Sequence, residues 1–331
     1  MSQPASDAAA WDRYWAYGNL HSFSQVTAGN YAGPIAAFWS RQFEGIGDGD
    51  CVVDIATGNG AVALLALDAA EHAGRAPTIH GTDIAAIEPP RRLGDPALRE
   101  RAARIRFHPR TAAEALPFEA GTVDLACSQF GLEYSDLARS VPELGRVVAT
   151  GGRVALIAHH ARSTAVEAAR GEAAQIAFVL DEVRLYARAR QFLRALADGG
   201  GRGRAARGKL PAKAAKKRAP LDRAAERIRA NADEHADATA MLGALNYVDE
   251  VLAMTERIGA TRALDWLEEA RQRVTAMQER LQAMQNAALD ERAVEDLGER
   301  LAAAGFAHPG IATVSEAGER LLGWTLEAAR R

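Results

Sequence analysis

Over residues 1 to 160, short apolar runs alternate with stretches of helical spacing. CVVDIA (51–56), TIHGTDI (78–84), RIRFHPR (104–110), VDLACSQF (123–130) and GRVALIAHH (152–160) read as strands. AVALLALDAAEHAG (61–74), PPRRLGDPALRERAAR (89–104) and DLARSVPELGRVVATGG (136–152) read as helices with their exits. This alternation predicts an α/β fold with a doubly wound, mostly parallel sheet. Continuous apolar runs fit strands covered on both faces.

The pattern changes after His160. Residues 163–197, rich in Ala, Glu, Arg and Leu, read as one long helix. GGGRGRAARGKLPAKAAKKRAP (199–220) carries eight basic residues and no acid, and reads as a flexible basic loop. Residues 221–291 read as two helices broken near Ile258-Gly259. In the second, Leu264, Leu267, Val274, Met277, Leu281 and Met284 form a stripe suited to packing on neighbouring helices. DLGERLAAAGF (296–306) is an amphipathic helix, and residues 308–331 read as two strands joined by a turn at Glu316-Ala317-Gly318. The expected organisation is thus an N-terminal helical lid (1–49), an α/β core (50–160), a helical insertion (161–295), and a last helix with a C-terminal antiparallel hairpin (296–331).

Composition narrows the class. The 331 residues are 48% hydrophobic and 25% charged, the profile of a folded soluble protein, and a net charge of −3 gives no global pull toward nucleic acid or membrane. Cys51 and Cys127 lie far apart, which argues against a disulfide framework or a metal site and favours a reducing, cytoplasmic compartment. The start, MSQPASDAAAWDRYW, lacks the basic and apolar regions of a secretion signal, and no apolar run is long enough to span a bilayer.

The chemistry concentrates in VVDIATGNGAV (52–62). A carboxylate ends a strand, and a glycine loop then leads into a helix. Such a loop lets backbone approach a ligand closely. No Lys-Ser/Thr follows the glycines, so a phosphate-cradling P-loop is excluded, and the dinucleotide fingerprint G-x-G-x-x-G fits poorly. The second strand ends in Asp83, 23 residues beyond Gly60, where an acid can accept ribose hydroxyls. Together with EALPF, VDLACSQFGLEY and GGRVALIAHH, these segments make residues 50–160, and more weakly 296–331, resemble a class I S-adenosylmethionine-dependent methyltransferase. The nearest branch is that of the ubiquinone/menaquinone C-methyltransferases and many small-molecule methyltransferases.

The resemblance implies a seven-stranded Rossmann-like sheet and S-adenosyl-L-methionine as cofactor. Asp54, Ala56, Thr57, Gly58, Asn59 and Gly60 would hold its methionine part, Asp83 the ribose, and Ile84 the adenine face. Ala112 and Ala113 would border the adenine edge, and Gln129 and Phe130 would lie beneath the sulfonium. Ala56 stands where a glycine is expected, and Ala112 where an acid often contacts the adenine amino group. His159 and His160 end the fifth strand; one of them is expected to face the acceptor as base or hydrogen-bond partner. Glu133 and Tyr134 are candidates for acceptor contacts. So are Tyr14, Tyr17 and His21, in an aromatic cluster that includes Trp11, Trp15 and Phe23. The absence of Asn/Asp-Pro-Pro-Tyr/Phe after the fourth strand argues against amino methylation of adenine or glutamine in that style. A small apolar or aromatic acceptor, methylated on oxygen or carbon, is expected. An RNA methyltransferase using the basic loop and a non-catalytic cofactor-binding scaffold are the alternatives. The insertion is expected to form an acceptor pocket or a homodimer contact.

Overall fold

In the computed structural model of the chain, residues 4–22, 29–198, 210–316 and 320–331 are described; Phe23, most of the glycine-rich part of the basic loop, and Ala317 and Gly318 of the expected turn lie outside them. The chain divides into two units, residues 1–167 with 283–331, and residues 168–282. The helical unit thus falls inside the 161–295 expected for the insertion.

The first unit begins with α1 (Pro4–Ala16) and α2 (Gly33–Phe43). There follow β1 (Cys51–Ile55), α3 (Ala61–His72), β2 (Thr78–Thr82), the short helices α4 (Pro89–Arg92) and α5 (Pro96–Ala102), and β3 (Arg106–His108). Then come β4 (Val123–Gln129), a 3₁₀ turn (Leu132–Tyr134), α6 (Leu137–Val147) and β5 (Val148–Ala158). The seven strands lie in the order β3-β2-β1-β4-β5-β7-β6, with β6 (Gly310–Glu316) and β7 (Arg320–Ala329). β1 to β5 run parallel, while β7 is antiparallel to both β5 and β6.

Alternation along the central strands explains their unbroken hydrophobicity. Val52, Leu125, Cys127, Ala155 and Ile157 face α2 and α3, where Phe38, Trp39 and Leu64 are buried. Val53, Ala126, Val154 and Leu156 face the other way, against Val141 and Leu144 of α6 and Leu297 and Leu301 of α12 (Glu291–Ala303). Each strand is covered twice, as parallel sheets require. The order reverses between β1 and β4, so the carboxyl ends of these strands open the crevice in which α/β folds bind ligands.

The second unit is helical. The long helix expected over 163–197 is interrupted: α7 (Thr164–Ala177) runs into a π-turn (Phe178–Glu182) before α8 (Leu185–Asp198). Arg184, at φ 51°, sits in the left-handed region between them. The basic segment also differs from its reading. Residues 212–220 are not loop but the start of α9 (Ala212–Ala232), because Ala-Lys sequence has high helix propensity and Ala214 and Leu221 are buried. The residues expected to form two helices are divided among the rest of α9, α10 (Thr239–Ile258) and α11 (Ala260–Ala287). The break near Ile258 falls where the sequence places it, at Gly259, whose φ of 86° ends α10. The core of the unit joins Leu185, Phe192 and Leu193 of α8 to Leu221, Ile228, Met241, Val248 and Leu267. Among the described residues, no helix is long and apolar enough to cross a membrane.

Candidate active site

β1 and β2 deliver Asp54 and Asp83 to the same sheet edge. Asp54 is paired in register with Gly81 of β2 and Cys127 of β4, so it lies at the switch point. Its Oδ2 accepts from the Thr57 hydroxyl at 2.5 Å and from the Ala63 amide at 3.2 Å. Burial raises its carboxyl to about 7 against these two donors. Asp83 accepts from the Gly58 amide on one oxygen and the Ala85 amide on the other, both at 2.8 Å. Burial holds it at about 6. The two acids therefore tie the glycine loop to the ends of neighbouring strands.

The backbone of this loop turns through the left-handed region at Ala56 (φ 55°), Gly58 (φ 55°) and Gly60 (φ 88°). At Gly58 a Cβ would overlap the Trp15 ring, so only glycine is accommodated. Ala56 occupies the expected glycine position in a conformation that L-residues disfavour. Gly131 makes room for the Ala56 methyl, since a Cβ on Gly131 would collide with it. A second strained residue, Phe130 (φ 53°), follows β4. Such outliers cluster at ligand clamps.

The aromatic N-terminal segment covers the loop. Trp15 packs on Ala85 and Ile87, with Trp11, Tyr14 and Phe107 around them. Trp11 meets Tyr134 edge-on at 5.8 Å. Two polar contacts fix α1 in place. Asn59 Nδ2 donates to the carbonyls of Trp15 (3.0 Å) and Asn19 (2.7 Å). Asp12 accepts from the Ala86 amide at 2.7 Å and from Arg110 at 2.8 Å. Beneath lies a cavity of about 30 Å³, lined by Trp11, Trp15, His21, Tyr31, Asp54, Gln129 and Phe130 among others. That is room for roughly one or two waters.

The remaining sequence candidates fall into three groups. Ala56 and Thr57 also line the cavity, with His21 bonded through Nε2 to the Gly29 carbonyl at 3.2 Å. The Tyr14 hydroxyl donates to the His21 carbonyl at 3.1 Å, behind the lining. Gln129 is fixed by Trp39, whose Nε1 donates to Oε1 at 2.5 Å. Ile84, Ala112 and Ala113 follow β2 and β3, and the Thr111 amide is held by the Asp83 carbonyl at 2.8 Å. Tyr17 is 64% exposed just beyond α1 and does not line the cavity.

The two histidines diverge, as strand alternation requires. His159 stacks on Phe130 (centroids 4.3 Å, 14° between planes) and lies edge-on to Tyr134. Burial lowers it to about 3, and its Nδ1 has no partner among the described residues. His160 stacks on Trp324 and takes the Arg162 amide on Nδ1 at 2.9 Å. Neither ring lines the cavity. Glu133 accepts the His159 amide at 2.8 Å, and burial raises its carboxyl to about 7. Tyr31 and Trp39 were not legible near the site, since they come from a segment without motif or period, and Ser22 and Asp12 lie in the aromatic segment without being singled out. Asp12 alone had a signal, as the one acid within the aromatic run WDRYW.

The sheet order with its antiparallel β7, and an acid at the ends of both β1 and β2, give the first unit the Rossmann-like fold of class I S-adenosylmethionine-dependent methyltransferases. More narrowly, residues 37–170 match the ubiE/COQ5 methyltransferase family. No curated protein matches the sequence. Similar solved structures include a geranyl diphosphate methyltransferase in complex with GPP and sinefungin (20% identity, TM-score 0.36, 47% of this chain and 65% of that one). Another is the geranyl diphosphate C-methyltransferase of Streptomyces coelicolor A3(2) (17%, TM-score 0.34, 48% and 65%). A third is phosphoethanolamine N-methyltransferase 2 of Haemonchus contortus (15%, TM-score 0.35, 98% and 57%). The chain spans less than two thirds of the length of each.

The residues present fit the cofactor. Two buried carboxyls, Asp54 and Asp83, have the chemistry to accept from an ammonium group and from ribose hydroxyls. Three buried polar atoms at this edge, Asn59 Oδ1, Thr82 Oγ1 and Gln129 Nε2, have no hydrogen-bond partner among the described residues. The cavity is smaller than a nucleoside, and Trp11 and Trp15 of α1 are among its lining residues.

Proposed function

We propose that the protein transfers the methyl group of S-adenosyl-L-methionine to a small apolar or aromatic acceptor, on oxygen or carbon. The observation that carries this reading is the aromatic enclosure of the cofactor end. Trp11, Trp15, Tyr31 and Phe130 surround the same cavity as Asp54 and Gln129. Asp54 orients the amino acid part of the cofactor, Asp83 its ribose, and the glycine loop gives close backbone approach. The cofactor supplies an electrophilic methyl carbon, so the protein's task is alignment and exclusion of water. An acceptor that must lose a proton needs a base with a pKa near working pH. Glu133, whose carboxyl burial raises to about 7, and one of His159 and His160 are the candidate bases, and none of the three lines the cavity. His159 stacks flat on the Phe130 ring. The two free cysteines favour a cytoplasmic setting.

The test is formation of S-adenosylhomocysteine by the full chain with matched panels of prenyl, phenolic and polar acceptors and with RNA. Turnover confined to apolar or aromatic small molecules, and lost in D54A, is the expected result. Turnover on RNA alone, or on polar acceptors alone, would contradict the proposal.

A further inference from the structure

The helical unit contains a cleft of about 360 Å³, walled by the π-turn, α8 and α11, all within residues 168–282. This volume lies in the range of small-molecule pockets, about 300–1,000 Å³. Leu180 and Leu267 give it apolar walls, and Tyr186, buried and with its phenol raised to about 12 by that burial, also lines it. Four charged groups line it, and two are spent on each other. Arg271 Nη2 and Nε donate to the two oxygens of Glu268 at 2.6 and 3.1 Å, a bidentate pair. The other two are Arg190 of α8 and Asp181 of the π-turn. Arg190 helps to hold Glu268 below its usual range, but neither it nor Asp181 forms an ion pair or hydrogen bond among the described residues. The cleft therefore presents a cation that shares Glu268 only through space, with no ion pair or hydrogen bond of its own among the described residues, and an anion with neither, beside an apolar wall.

The backbone here is also irregular. The π-turn closes with the Val183 amide donating to the Phe178 carbonyl at 2.9 Å, and Arg184 follows at φ 51°. Single π-turns and left-handed non-glycine residues recur where a helix is shaped around a ligand.

We propose that this cleft is a second small-molecule site, separate from the methyl-transfer site, for an α-amino acid with an apolar side chain. Its carboxylate meets Arg190, its ammonium meets Asp181, and its side chain lies on Leu180 and Leu267. A free anion would leave Asp181 opposing it, and a free cation would leave Arg190; only a zwitterion satisfies both.

Titration calorimetry on the full chain tests this with L-phenylalanine, 3-phenylpropionate and phenethylamine, which share one apolar body. Saturable 1:1 binding of L-phenylalanine is expected, with each single-charge analogue weaker by roughly tenfold or more, a difference of about 1.4 kcal/mol. Both Arg190 and Asp181 are exposed, so R190Q and D181N should keep the wild-type melting temperature while losing affinity to the same extent. Saturating S-adenosylhomocysteine should leave the binding unchanged. Equal affinity for 3-phenylpropionate, undiminished binding in either variant, or displacement by S-adenosylhomocysteine would overturn the proposal. So would the absence of saturable binding for phenylalanine, leucine and methionine alike.

Discussion

Glu133 is buried with no compensating cation among the described residues, where backbone amides offset the cost of its charge. Its carboxyl therefore titrates near 7 in the fold against about 4.5 when unfolded. A raised acid contributes stability that is full below the unfolded value and is lost as pH rises through the folded one. Wild-type stability in urea should thus fall between about pH 4.5 and 7, and E133Q should lack this group's share of the slope. Asp54 and Asp83 act in the same direction, while His159 opposes them, because its lowered pKa makes stability fall as pH drops below about 6.5. Parallel pH curves for wild type and E133Q would show that Glu133 is not the titrating group. At this scale the sequence was informative where chemistry is local: Asp54, Gly58, Gly60 and Asp83 are marked by their place after strands. It was silent on Tyr31 and Trp39, which reach the site through tertiary packing and through polar contacts with Gln129. It also could not choose between His159 and His160, because the choice depends on how β5 ends.

At the scale of elements, α1 is, on this proposal, the element that controls entry. Its Trp15 ring lies on Gly58, and Asn59 and Asp12 hold its end and its middle to the loops after β1, β2 and β3. Replacing Trp15 by Ala removes the ring that lies on Gly58 while keeping both polar anchors. If closure limits entry, the association rate of S-adenosylhomocysteine in stopped-flow should rise in W15A, by roughly tenfold for a 1.4 kcal/mol shift in the closed-to-open balance. An unchanged rate would mean that α1 is open on the timescale of binding. The aromatic density of WDRYWAYGNLHSF pointed to this element, but its seat on the glycine loop is a tertiary fact. The start of α9 shows the reverse error. Lysines beside a glycine run read as solvated loop, yet Ala214 and Leu221, spaced seven apart, recur on one helical face and anchor it.

For the whole molecule, the α/β unit was legible because alternation of strand and helix, strand burial on both faces and the glycine loop all agree on one topology. The order of β7 before β6 in the sheet was not, since pairing across a hairpin edge leaves no mark on composition. The helical unit was legible as helices, but its internal breaks were not: the π-turn at Phe178–Glu182 interrupts an otherwise uniform Ala-Leu-Arg pattern. The central claim is that Asp83 and the glycine loop form the cofactor site of a methyltransferase. Its most direct test is titration calorimetry of S-adenosylhomocysteine against the wild-type chain and D83A, with the fold of the variant checked by circular dichroism. The wild type should bind one equivalent, and D83A should lose roughly 1.5–3 kcal/mol, the worth of hydrogen bonds to a charged group, or about tenfold or more in affinity. Equal affinity in a folded D83A, or no binding by the wild type, would contradict it.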